Sequence, residues 1–249
     1  MRPNYNLDKI KFAAGKSIFE RAVGIYESDG VQNFKENSFG FTAKVRGSGG
    51  NFYNVCVSAK NYDEGNCDCY LGQKETLCKH LVAAAIYAVT NGKKLSEEDK
   101  ELIDTPKCSG LRGELEKDKV KEIKAEITTA MRYIKSYIGP SRMWFAYQNS
   151  LAEGCNRLSA IVSELPIGEQ TTQLLIDLIL RLDHKLCHSG VDDSDGTVGG
   201  FIEEVVVMLQ EYAELDRSCI KAFAKLIGKE TCFDWEEPLV KIFDEQDIN

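Results

Sequence analysis

The 249-residue chain has no apolar run long enough to span a bilayer. Its opening, Met1-Arg2-Pro3-Asn4-Tyr5-Asn6, lacks the hydrophobic region of a secretory signal. It also lacks the common catalytic signatures: a GxSxG elbow, a phosphate-cradling GxxxxGK, and a GxGxxG after a strand. Gly47-Ser48-Gly49-Gly50 comes nearest, but no helix follows it, so it lacks the helix N-terminus that phosphate loops use. Histidine is scarce at three residues, proline at five and tryptophan at two. These shortages argue against a membrane protein and against the familiar nucleotide and hydrolase sites. The expectation is a non-enzymatic, cytoplasmic protein with no membrane partner. Cysteine, by contrast, is plentiful at nine. With no export signal, reduced thiols and metal ligands are expected.

Hydrophobic content of 43% and charged content of 28% fit a globular chain with enough apolar mass for a core. The length suits one large domain or two small ones. The net charge of −8 is uneven. Residues 1–94 hold 13 Lys/Arg against 9 Asp/Glu, and residues 95–249 hold 18 against 30. The first part is mildly basic and the second acidic, short of the strongly basic footprint of a dedicated DNA-binding protein.

Three cysteines and a histidine fall within fourteen residues: Cys67-Asp68-Cys69, eight residues, then Cys78-Lys79-His80. These are four soft donors in two tight pairs, the number and type that a closed tetrahedral zinc site needs. Eight intervening residues close a short loop at little entropic cost. All four positions are supplied by protein, which points to one structural ion and leaves no vacancy for a catalytic water. A disulfide within CxC would be cramped.

The flanking residues carry a family resemblance. Phe52-Tyr53-Asn54-Val55-Cys56-Val57-Ser58 reads as a strand before the first pair, and Leu81-Val82-Ala83-Ala84-Ala85-Ile86-Tyr87-Ala88 reads as a helix directly after the second. The stretch resembles a SWIM-type zinc finger, in which CxC, a variable gap and CxH open a helix. The aromatic-bearing segment Phe19-Glu20-Arg21-Ala22-Val23-Gly24-Ile25-Tyr26 is similar to helices that precede such fingers. The resemblance spans residues 13–92. It implies a small zinc-stabilised antiparallel sheet with flanking helices, and association with DNA or protein partners.

The expected fold is α+β in three stretches. Residues 1–92 form the finger domain, with a helix over 13–27, strands over 31–35, 39–46 and 51–59, and a helix from Lys79 to about Thr90 stopped by Asn91-Gly92. Residues 93–110 read as a polar linker with a short helical piece capped by Ser96. Residues 111–249 read as an all-helical bundle or HEAT-like stack. Its helices are expected over 114–138, 141–165, 169–187, 201–214, 217–227 and 235–245, with an irregular bundle favoured because no repeat is visible.

Two further clusters have structural and functional readings. His184, Cys187 and His188 share a helical face beside Asp183. They read as a second metal site or as a polar helix end where imidazoles suit the negative pole. Val191-Asp192-Asp193-Ser194-Asp195-Gly196 resembles the middle of an EF-hand loop. With Gly196 at the sixth position, however, the first and twelfth are Val191 and Ile202, where carboxylates are required. A turn whose carboxylates favour the next helix fits better. Cys108, Cys155, Cys219 and Cys232 are expected to pack as small hydrophobes.

The leading functional expectation is a zinc-finger binding protein acting on DNA or RNA, with Lys44, Arg46, Lys60, Lys74 and Lys79 as phosphate contacts and Tyr53, Tyr62 or Tyr70 for stacking. The acidic helical part would recruit a protein partner. The alternative is a protein–protein adaptor that binds no nucleic acid. A weaker third reading places an enzyme at residues 184–195.

Overall fold

The computed structural model describes residues 2–140 and 144–246. The chain divides into two compact units, Met1–Leu102 and Ile103–Asn249.

The first unit is a four-stranded antiparallel sheet with helices on one face. Its strands are β1 (Val31–Glu36), β2 (Gly40–Arg46), β3 (Phe52–Ser58) and β4 (Asn66–Cys67), paired in sequence order. The fourth strand adds one to the three expected. Alternation along β2 and β3 puts Phe41, Ala43, Val45, Val55 and Val57 on the buried face. Lys44 opposite Asn54 lies on the other face. Helix α1 (Leu7–Ala13) and helix α2 (Lys16–Glu27) replace the single expected helix. They are separated by Gly15, whose φ of 74° suits glycine and cannot continue a helix. Asn6 caps α1 by accepting from the Lys9 amide.

Helix α3 (Lys79–Thr90) is the central element, packed on α2 at one side and on β2 and β3 at the other. It is buried continuously from His80 to Ile86. A helix apolar around its circumference must be enclosed on all sides, and its alanines let neighbours approach closely. It ends where the sequence indicates, at a left-handed Asn91 with φ of 52°.

The stretch read as a linker is divided between the units. Leu95 and Leu102 are buried in the first core. Between them lies α4 (Glu97–Lys100), closed by a reciprocal Ser96/Asp99 capping box. In the second unit, Ser109 Oγ donates to the Leu165 carbonyl. The backbone of residues 111–113 pairs with Ile167.

The second unit comprises α5 (Lys117–Ala130), α6 (Trp144–Ser163), α7 (Glu169–His188), α8 (Thr197–Leu215), a 3-10 helix (Arg217–Leu226) and α9 (Glu237–Gln246) around one apolar core. The expected helix over 114–138 stops at Ala130. The chain leaves helical geometry so that Met131 and Ile134 are buried, with the Ile134 carbonyl accepting from Lys185 Nζ and the Tyr137 amide donating to Gly190. Ile138, the last residue of the expected helix, is 96% exposed. The start expected for the second helix, residues 141–143, lies outside the described residues.

Cys187 and Cys232 form a disulfide, with 6.4 Å between their Cα atoms. This corrects the expectation that Cys232 packs without a partner. Asp183 secures the same junction: its Oδ1 accepts from the Cys232 amide at 2.7 Å and from Trp235 Nε1 at 2.9 Å. An Asp183→Ala change strands both donors, so the second unit should lose about 3 kcal/mol, read as a lower urea midpoint by tryptophan fluorescence. A midpoint equal to wild type would mean that water replaces the carboxylate.

Candidate metal centre

Two segments bring the four donors together. Cys67 closes β4, where it pairs with Val55, and Cys69 follows two residues later. The chain then tightens through a 3-10 turn (Gly72–Lys74) and a left-handed Glu75. Cys78 is the residue before α3, and His80 lies in that helix's first turn. One ligand atom from each of Cys67, Cys69, Cys78 and His80 lies within 4.8 Å of all the others. All four residues are buried, at 1%, 5%, 1% and 6% exposure.

The donor set fits a metal ion. Tetrahedral bonds of zinc length imply sulfur–sulfur edges of about 3.8 Å and sulfur–nitrogen edges of about 3.6 Å. Cys67 Sγ and His80 Nδ1 are 3.9 Å apart. Backbone amides point at the sulfurs: Gly72 N–H donates to Cys69 Sγ at 3.4 Å, Cys69 N–H to Cys67, and Leu81 N–H to Cys78. Such bonds stabilise thiolate charge. Cys78 is pulled down to about 4, first by the hydrogen bond from the Cys67 thiol and then by His80 and the Leu81 amide, against the opposing effect of burial. The same Cys67–Cys78 bond, with burial, pushes the Cys67 thiol up. Ligation would leave both sulfurs as thiolates.

The residues between the paired ligands also have structural work. Asp68 clamps the first pair to β3, accepting from the Asn54 amide at 2.9 Å and from its side-chain nitrogen at 2.8 Å. Lys79 Nζ donates to Ser48 Oγ in the β2–β3 turn. Tyr53 lies against the His80 ring, with centroids 4.6 Å apart. The ligand spacing gave no hint of the Asp68 clamp, because it depends on strand register.

The expected nucleic-acid contacts do not form one patch. Lys44 lies on the outer sheet face, beside Lys35 and Thr42. Arg46 donates to the Ser28 carbonyl at 2.7 Å. Lys60 is exposed after β3. Lys74 sits over the ring of Tyr70, which is 70% exposed. Lys79 and Tyr70 line a cleft beside the metal ligands. Tyr62 is buried at 1%, edge-on to Tyr5, which removes it as a stacking platform. An aromatic in the polar run Asn61-Tyr62-Asp63-Glu64 reads as exposed; the core contact that buries it is distant in sequence.

In the second unit, the rings of His184 and His188 stack at 4.8 Å. Asp183, Cys187 and Cys232 also converge, but the sulfurs are bonded to each other and Asp183 accepts two hydrogen bonds. That group ties the end of α7 to the segment before α9. In the aspartate loop, Asp193 accepts from the Val198 and Gly199 amides and Asp195 from Thr197, so both serve the start of α8.

Gly72 is a test of this geometry, because a Cβ there would sit 2.0 Å from the Cys67 carbonyl oxygen. Gly72→Ala should weaken metal binding at least tenfold in a chelator competition, and Cys78→Ala should abolish stoichiometric binding. In Cys78→Ala, amide exchange at Val55 and Val57 should rise as the unit opens locally. Wild-type protection at those residues would count against a structural ion. No family model, curated protein or solved structure matches the chain, and the reading of the cluster rests on its own donors and spacing.

Proposed function

We propose that the first unit is a zinc-stapled module of the SWIM type, and that the protein acts by binding nucleic acid without catalysing a reaction. The observation that carries this is the buried Cys67/Cys69/Cys78/His80 set, flanked by Lys79, Lys74 and Tyr70. Three thiolates with one imidazole favour zinc over harder ions. Four protein donors complete its tetrahedron, so the ion's role is to hold structure. Around it, ammonium groups suit phosphates and an exposed tyrosine suits a base face.

The alternative is an adaptor that binds only proteins. The observation favouring it is the acidic balance of residues 95–249, with 30 Asp/Glu against 18 Lys/Arg. An acidic surface repels phosphate and suits a basic protein partner.

The test is binding of zinc-loaded protein to labelled single- and double-stranded DNA and RNA across a salt series. The expected result is affinity that falls linearly in log–log form, with a slope of about −0.7 per phosphate contacted on a single strand. The Lys74→Glu reversal, beside Tyr70, should weaken it at least tenfold. Absence of binding at low salt would end the nucleic-acid reading in favour of the adaptor.

A further inference from the structure

Beside the metal ligands is a cleft of about 290 Å³, and its lining is unusual for this acidic chain. Two cations line it, Arg21 from α2 and Lys79 from the start of α3, and no carboxylate does. Ser48 and Gly49 of the β2–β3 turn form another part of the wall, with Tyr53 and Tyr70. The 12-residue helix α3 opens at this wall, and its first turn has no side-chain cap. The positive end of a helix therefore adds to the two cations.

A second, independent feature points to a ligand. His80 is 6% exposed and lines the cleft, and its Nε2 has no hydrogen-bond partner. Nδ1 faces the sulfurs. When Nδ1 holds a metal, Nε2 keeps its proton and becomes an obligatory donor. Metal-bound imidazoles almost always donate that proton to an acceptor. None of the described residues supplies one. Arg21 donates through Nε to the Ser17 carbonyl at 2.8 Å, which leaves both terminal nitrogens free of partners among the described residues. The cleft is thus lined by a guanidinium, an ammonium and an imidazole whose buried Nε2 lacks a partner, with no carboxylate among the described lining residues.

The charges agree. Zinc with three thiolates carries −1, and Arg21 with Lys79 carries +2. The remaining +1 matches one singly charged group.

We propose that this cleft is a phosphate site, filled by one phosphodiester of a nucleic-acid strand, with Arg21, Lys79 and His80 Nε2–H as donors. This rests on the nucleic-acid reading above and assigns that contact a place. A phosphate oxygen accepting from Nε2–H would couple strand binding to the imidazole that holds the metal. The exposed ring of Tyr70 on the cleft wall is a platform for the neighbouring base.

The experiment uses the zinc-loaded full chain with a five-residue oligothymidylate and, separately, inorganic phosphate. Binding is read by fluorescence anisotropy and by the ¹⁵N–¹H resonance of His80 Nε2. Arg21→Gln, Lys79→Gln and the surface control Lys94→Gln are each first shown to hold one zinc. The expected result is a shift of the His80 resonance and of the Ser48 and Gly49 amides, with about tenfold weaker binding in Arg21→Gln and in Lys79→Gln. Lys94→Gln should stay within about twofold. Arg21 is remote in sequence from the ligands, so it remains decisive if Lys79→Gln loses zinc. Oligothymidylate that binds both glutamine variants like wild type, with His80 unmoved, overturns the cleft and leaves nucleic-acid binding standing. If only phosphate binds, and Arg21→Gln loses it, the strand is refuted as the source and the phosphate site stands. Silence with both probes overturns the cleft and the strand together.

Discussion

Helix α3 cannot enter its core without carrying Cys78 and His80 with it. The residues that follow, Leu81 to Ile86, fill the space between α2 and the sheet. A single covalent segment is therefore both the second ligand pair and the middle of the apolar core. The first pair is set by strand pairing, because Cys67 lies opposite Val55, itself a core residue. Closing the four donors and closing the core are one event. An ion held by the four donors would thus add stability to a unit of about a hundred residues with a small sheet.

The residues between the ligands tie that event to the β2–β3 hairpin from both sides. Asp68 fastens the first pair to Asn54 on β3, and Lys79 reaches Ser48 in the turn. Gly72 presses against the Cys67 backbone, where a side chain has no room. The eight-residue gap is short and tightly specified. Its tolerance to change depends on backbone approach at Gly72 more than on the exposed side chains of Gln73, Lys74 and Glu75.

What could be read in the sequence follows from locality. The four donors were legible because their chemistry lies in side-chain type and short spacing. The limits of α3 were legible because an apolar alanine-rich run meets Asn91-Gly92, and Asn91 adopts the left-handed conformation that ends helices. The helical character of the second unit was legible from apolar periodicity. Its irregularities were not. The periodic pattern continues through Ile134 and Ile138, while the backbone breaks at Ala130 to bury one and expose the other. Gly15 lies inside a helical pattern and splits it. The Cys187–Cys232 pair, the burial of Tyr62 and the presence of Arg21 near the metal ligands each depend on contacts between distant segments. No local rule contains them.

Helix α3 begins without a capping side chain, and the residue at that position, Cys78, belongs to the cluster that could hold a metal. With an ion held there, coordination would take the place of the serine or aspartate that usually starts a helix. The consequence is thermodynamic. An ion that binds only the folded form adds stability with the logarithm of its free concentration, about 1.4 kcal/mol for each tenfold rise above its dissociation constant. The folded fraction of the first unit would then depend on the metal supply of its surroundings as well as on temperature. Scarcity would appear as lost helix and earlier proteolysis, making the unit a gauge of available metal.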